Sequence, residues 1–128
     1  MLVGYLRRMK IENPSGGAGD LDVHMELTAD AGPFTGNCVV AEIPDEKWGQ
    51  GYDATRAALA AIVGRAPTAE AYDLPRPILI KVAGAPFWDA EHMGQDKPHQ
   101  HGRCNNPGLG VWEIHPVVKI GRATAAAP

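Results

Sequence analysis

Three short segments place histidine and carboxylate side chains beside apolar residues that are typical of β-strands. They run from Asp22 to Leu27, from Phe87 to His92 and from Trp112 to Val117. Neutral imidazoles and ionised carboxylates offer lone pairs that one divalent cation can satisfy together, and such ligands suit zinc, manganese, iron or nickel. We therefore expect a metal or ligand site at the place where these segments meet in the folded chain.

Five strands and one helix are predicted to position these segments. Alternating apolar residues predict strands over 2–11, 22–28, 38–43, 78–83 and 111–120. Within the first strand, alternation places on one side Val3, Tyr5, Met9 and Ile11. The helix is predicted over 53–63, capped by Asp53 and ended by Gly64, with an apolar stripe of Leu59, Ile62 and Val63.

The order of these elements predicts the fold class. A helix between the third and fourth strands favours a mainly β protein, a small OB-like five-stranded Greek-key barrel. A β-sandwich or another small barrel with one inserted helix is the alternative. A single domain over 1–121 is expected, and the small residues of 122–128 predict a frayed tail.

Alternation also predicts which polar side chains point outward. His24 and Glu26 lie on the opposite side of their strand from Val23, Met25 and Leu27. In the last strand, Glu113 and His115 point outward with Val117, opposite Trp112, Ile114, Val118 and Ile120. Asp89 and His92 follow the fourth strand and start a long loop. If this loop folds across the outward face, we expect His24, Asp89, His92 and His115 as metal ligands, and Glu26 or Glu113 as a general base.

The long polar loop holds further histidines and one of the two cysteines. His99, His101 and Cys104 are predicted to belong to a solvated loop rather than to a ligand set. Cys104 and Cys38 permit one disulfide, and two reduced thiols remain the alternative. Trp88, at the start of the loop, is expected in the core or at the barrel mouth, where an exposed ring would form a stacking platform.

Composition disfavours some classes of partner. A net charge of −3 over 128 residues disfavours tight nonspecific binding to nucleic acid, which needs clustered Lys and Arg. The sequence contains no apolar run long enough to cross a bilayer, and the residues from Met1 to Tyr5 do not resemble a signal peptide. A small ligand or a metal is the expected partner, no membrane partner is expected, and the cytoplasm is the default location.

Four segments together resemble a group of uncharacterised bacterial single-domain proteins. The motifs are D-x-H-x-E-L at 22–27, V-x-E-I-P at 40–44, F-x-D-x-x-H at 87–92 and W-E-I-H-P-V at 112–117. The resemblance spans most of the chain and implies one domain in which the four segments act as a set. It implies no particular activity.

Two functional hypotheses follow from these residues. The first is a metal- or ligand-binding module with a His/carboxylate surface site, in its catalytic version a metal-dependent hydrolase. The second is a noncatalytic OB-type module that binds an oligonucleotide, an oligosaccharide or a protein partner. A third interpretation needs no function, because polar pairs on a wet sheet face also stabilise strands.

Overall fold

The computed structural model describes residues 1–12, 21–49, 51–88, 101–106 and 112–124. In these ranges the chain forms five strands and one α-helix: β1 (Leu2–Ile11), β2 (Val23–Thr28), β3 (Cys38–Ile43), α1 (Tyr52–Val63), β4 (Tyr72–Trp88) and β5 (Trp112–Arg122). The prediction of a mainly β protein with a helix between the third and fourth strands is confirmed. The fourth strand is longer than predicted, since it begins at Tyr72 and not at Ile78.

The strands form one mixed sheet that closes on itself as a ring. Their order is β1-β2-β3-β5-β4, and β4 pairs with β1 again. Neighbouring strands are antiparallel except β3 and β5, which run parallel with Val40 opposite Glu113. In the antiparallel pair of β2 and β3, His24 lies opposite Glu42. The register therefore brings polar residues of three strands to one area of the outer face.

Apolar side chains fill the inside of the ring. The buried core consists of Leu6, Met9, Val23, Met25, Leu27, Ala41, Ile43, Leu59, Ile80, Val82, Val117 and Ile120. Helix α1 contributes Leu59, with Ile62 and Val63 packed beside it as the sequence predicts. Burying side chains of this size stabilises a fold by about 1.5–3 kcal/mol each.

The ends of α1 show which helix signals the sequence carries. Gly64, with φ of 88°, ends the helix as predicted, because glycine adopts this left-handed conformation without a Cβ clash. The predicted N-cap is wrong: the helix begins at Tyr52 after Gly51, and Asp53 lies in the first turn, where its carboxylate accepts a hydrogen bond from the Ala54 N–H at 2.9 Å. At 12 residues α1 is too short to cross a bilayer, and the described ranges contain no other helix that is a candidate span.

A bulge in β1 overturns the predicted alternation of that strand. The pairing of β1 with β2 and β4 shifts register between Leu6 and Arg8. Leu6 therefore joins Met9 in the core, while Val3 is half exposed. An extra residue in one strand reverses the side chains beyond it, so strict alternation fails here.

Register shifts in β5 change its predicted inward set in the same way. Pro86 pairs with Ile114 and Gly84 pairs with Val117, so β5 carries one residue more than β4 across this stretch. Val117 is consequently in the core, whereas Val118 and Trp112 are exposed, contrary to the prediction. Glu113 lies before this register shift and His115 lies within it, and both side chains stay near the outer face.

Candidate metal centre

The outer face of β2 carries two polar side chains that water scarcely reaches. His24 and Glu26 each have side chains only 1% exposed. They point away from the core, as predicted, but the expected wet face is covered. Residues 101–106, called here the covering segment, lie across it.

A disulfide bond and backbone hydrogen bonds hold the covering segment against the sheet. Cys104 is bonded to Cys38 of β3, 66 positions away in sequence. His101 and Cys104 exchange backbone hydrogen bonds of 2.8 and 2.9 Å, and the Asn105 N–H donates to the Gly36 carbonyl at 3.0 Å. Of the two alternatives open at the sequence level, the cysteines adopt the disulfide.

The covering segment approaches β2 so closely that one position requires glycine. Gly102 has φ of 58°, and a Cβ there would lie 2.7 Å from His24 Nε2 and also overlap the Glu26 carboxylate. The next residue, Arg103, donates to Glu26 from its backbone N–H at 3.1 Å and from Nε at 2.8 Å. Glu26 therefore ties the covering segment to the strand below it.

Four side chains from four parts of the chain converge beside this contact. They are Glu12 after β1, His24 of β2, Glu42 of β3 and His101 of the covering segment, and each offers one nitrogen or oxygen atom within 4.8 Å of the others. Nδ1 of His24 lies 3.0 Å from Glu12 Oε1 and 3.6 Å from Glu42 Oε2. Nε2 of His101 lies 3.9 and 3.8 Å from the same two oxygens. This group is called the four-residue centre below.

The contacts of Glu26 decide which nitrogen of His24 faces the centre. Burial would raise the pKa of Glu26, but His24 and the donors of Arg103 outweigh it and lower the pKa to about 2. The ionised carboxylate only accepts, so Nε2 of His24, at 2.8 Å, must donate. Nδ1 then points into the centre, where it is buried and lies 3.0 Å from Glu12 Oε1.

His101 presents its ring to the centre in a similar way. Its Nδ1 lies 3.0 Å from Glu113 Oε2, while Nε2 faces the centre, and its side chain is 12% exposed. A carboxylate behind each imidazole is the arrangement that orients histidines in metal sites. The prediction that His101 belongs to a solvated loop is wrong, because the disulfide draws its segment onto the sheet.

Charge interactions shift the pKa values of the centre strongly. Burial alone would lower the pKa of His24, but Glu12, Glu26 and Glu42 overcome it and raise the pKa to about 10. Burial is likewise overcome at His101, where Glu113 and Glu12 raise the pKa to about 9. The two histidines hold the pKa of Glu12 well below its usual range. Without a cation, both imidazoles are therefore protonated at neutral pH.

Beside the centre, His115 and Asp22 form a second polar contact. Nε2 of His115 lies 3.1 Å from Asp22 Oδ2, and Nδ1 lies 3.7 Å from Glu113 Oε1. The contact with Asp22 raises the pKa of His115 against the effect of partial burial. A cleft of about 340 Å³ opens here and is lined by Asp22, Pro44, Trp48, Tyr52, His115 and Pro116.

The structure thus brings together four of the six site residues that the sequence predicts: His24, Glu26, Glu113 and His115. Asp89 and His92 lie outside the described residues, so their role as ligands stays a prediction. Sequence reasoning missed Glu12, Glu42 and His101. The alternation of Ala41 and Ile43 into the core was a signal for Glu42, which lies between them. Nothing in the sequence indicated the place of Glu12, which follows the last residue of β1.

Comparison with known proteins finds no matching family model, no matching curated protein and no matching solved structure.

Proposed function

We propose that this protein binds a divalent transition-metal cation at the four-residue centre. The observation that carries the proposal is the convergence of Glu12, Glu42 and His101 around the buried Nδ1 of His24, which lies 3.0 Å from Glu12 Oε1 and 3.6 Å from Glu42 Oε2. In the metal-free centre this imidazole is protonated, and a divalent cation would replace the proton and be bound by the imidazole nitrogens and the carboxylate oxygens together.

The spacing of the ligand atoms fits a tetrahedral ion. Bonds of about 2.0–2.2 Å to nitrogen and oxygen separate neighbouring ligands of a tetrahedron by about 3.3–3.6 Å. The four separations between imidazole nitrogens and carboxylate oxygens run from 3.0 to 3.9 Å, so they extend about 0.3 Å beyond this range on either side. Two imidazoles and two carboxylates suit zinc first, and also manganese, iron or nickel.

The contacts favour a supporting role for the carboxylates behind the histidines. Glu26 accepts from His24 and Arg103, and its low pKa makes it a weak base, so we assign it the orientation of His24. Glu113 adjoins both His101 and His115. It remains the candidate base for the catalytic version of the proposal, in which the cation would take a water as a fifth ligand and lower its pKa.

Strand order supports the OB-like interpretation of the fold as part of the proposal. The ring β1-β2-β3-β5-β4, with β3 and β5 parallel and a helix between β3 and β4, is the arrangement expected for an OB-type Greek-key barrel. In such barrels the second and third strands present the ligand-binding face, and these strands carry His24 and Glu42.

Exposed aromatic rings favour a second candidate function, a noncatalytic module. Trp88 and Trp112 are 44% and 42% exposed and meet edge to face with ring centroids 4.9 Å apart. Exposed tryptophans stack on sugar rings and on unpaired bases. An oligosaccharide is the better fit of these two, given the net charge of −3. Quenching of tryptophan fluorescence by oligosaccharides but not by metal would favour this candidate.

Metal reconstitution tests the first candidate. Purified protein is stripped with a chelator, loaded with Zn²⁺, Mn²⁺ or Fe²⁺, and assayed by elemental mass spectrometry and calorimetric titration. Glu42→Gln and His101→Gln should each weaken binding by more than about 100-fold, since losing a ligand costs more than losing an outer partner. Glu70→Gln, at an exposed carboxylate that belongs to neither group of ligands, is the matched control. A wild-type protein that stays metal-free after loading would refute the proposal.

A further inference from the structure

A second group of ligands lies beside the four-residue centre and shares one residue with it. Asp22, Glu42 and His115 each offer one nitrogen or oxygen atom, and these atoms lie within 4.8 Å of one another. Glu42 is also a member of the four-residue centre. One carboxylate therefore adjoins two sets of ligands, which is the position of a bridging carboxylate in centres with two metal ions.

The three residues, called here the Asp22 triad, are held by elements that the fold fixes. Glu42 lies in β3 and His115 in β5, which pair in parallel. Asp22 follows Leu21, whose carbonyl oxygen accepts a hydrogen bond from Nη2 of Arg56 at 2.5 Å. Nε of the same arginine donates to the carbonyl of Pro44 at 3.1 Å, just beyond the end of β3. Arg56 thus links helix α1 to the backbone beside Asp22 and to the backbone two residues after Glu42.

We propose that the protein holds two divalent cations, one in the four-residue centre and one in the Asp22 triad, with Glu42 as the bridging ligand. The inference deepens the proposed function and rests on it, because a bridge requires the first cation. Both cations draw on imidazole and carboxylate ligands, so the same transition metal suits both positions.

Glu113 gives an observation independent of the triad itself. Its side chain is 3% exposed, and Oε2 lies 3.0 Å from His101 Nδ1. Oε1 lies 3.7 Å from His115 Nδ1. A single buried carboxylate therefore lies between a histidine of one position and a histidine of the other, where its negative charge would stabilise both cations.

The balance of charge also fits two cations. Four carboxylates face the two positions, namely Asp22, Glu12, Glu42 and Glu113. The fifth carboxylate of this area, Glu26, is paired with Arg103 at 2.8 Å. Two dications neutralise four carboxylates, and buried charges without a counter-charge are costly. One dication would leave two of these four negative charges without a counter-charge.

The two positions differ in their access to solvent, which separates them in experiment. His115 is 28% exposed and lines the cleft beside the Asp22 triad, whereas His24 is 1% exposed under the covering segment. The second cation should therefore be the first to leave when a chelator is added, and the one within reach of a ligand in the cleft.

Stoichiometry tests this inference directly. Elemental analysis of Mn²⁺-loaded wild-type protein should give about two ions per chain, and the EPR spectrum should show the spin coupling of a close pair, since bridged ions lie about 3.5–4 Å apart. Asp22→Asn and His115→Ala should each reduce the content to one ion and restore the hyperfine pattern of an isolated Mn²⁺. The isosteric Asp22→Asn guards against misfolding of His115→Ala, and circular dichroism checks both.

The outcomes separate the two proposals. One ion in the wild type, with no change in Asp22→Asn or His115→Ala, would overturn the second position and leave the proposed function standing. No ion in any of the three proteins would refute both. Two ions per chain that show no spin coupling, and that Asp22→Asn and His115→Ala do not reduce to one, would contradict the assignment of Glu42 as the bridging ligand.

Discussion

Binding of a cation to the four-residue centre should release two protons, and this makes its affinity steeply dependent on pH. His24 and His101, with pKa values of about 10 and about 9, are both protonated at neutral pH when the centre is empty. A metal ion binds the neutral imidazoles, so each must lose its proton. Between about pH 6 and about pH 8 the apparent affinity should rise about 100-fold per pH unit.

The size of the proton penalty follows from the same pKa values. At pH 7, displacing protons from groups with pKa values of about 10 and about 9 costs about three and about two decades of affinity. Together this is about 7 kcal/mol. Structural zinc sites supply about 10–16 kcal/mol under comparable conditions, so the penalty weakens binding without abolishing it.

Calorimetric titration in buffers of different ionisation enthalpy measures the released protons directly. We expect about two protons per ion bound at the centre, and about one in His101→Gln, because that variant retains only His24 to deprotonate. The titration is carried out in the Asp22→Asn variant, which should lack the second cation, so the protons counted are those released at the four-residue centre. An affinity independent of pH over this range, or heat that does not vary with the buffer, would show that the cation does not displace these protons and would refute the reasoning.

Three further predictions concern stability and redox state. Gly102→Ala should lower the free energy of unfolding by about 1–3 kcal/mol, because its Cβ would lie 2.7 Å from His24 Nε2. In the control Gly64→Ala, the new Cβ has nothing within 4 Å, so only the backbone cost of the positive φ is expected. Equal losses of stability in denaturant titrations of the two variants would contradict this prediction. Reduction of the disulfide, which spans 66 positions, with a non-chelating phosphine should lower the free energy of unfolding by about 4 kcal/mol. It should also weaken metal binding, because His101 is then no longer held on the sheet. An unchanged metal affinity would show that the covering segment stays in place without the disulfide. The metal-free protein should lose stability as pH rises from about 6.5 through about 9–10, because His24 and His101, whose pKa values are raised in the folded state, stabilise the fold only while they are protonated. A thermal midpoint that rises over this pH interval would contradict the assigned protonation states.

How far the sequence predicts this protein depends on whether a strand is regular. In β2 the pairing with β3 runs without a shift, and the predicted inward and outward sets are both correct. In β1 and β5, bulges insert residues that no pattern of apolar positions reveals, and the predictions for Val3 and Val117 fail there. Alternation is a local rule, and it holds only as far as the ladder beside it is continuous.

The candidate site shows the same limit at longer range. His24, Glu113 and His115 lie in strands, so their outward direction could be predicted. His101 lies in a segment whose place depends on the bond between Cys38 and Cys104, and the sequence permits that bond without requiring it. The contacts of a loop segment depend on where the chain returns to the sheet, and the spacing of residues in the sequence does not determine that position.

The covering segment has a kinetic consequence for any ion beneath it. His24 is 1% exposed, and His101 stands three residues from a cysteine that is bonded to the sheet. Under the proposed function, an ion in the four-residue centre would leave through local opening of this segment or movement of Glu12, whose side chain is 33% exposed, so its residence time would not be set by the strength of its coordinate bonds alone. Slow exchange would then let the metal content of the purified protein reflect the ions present while the disulfide closed as well as their relative affinities.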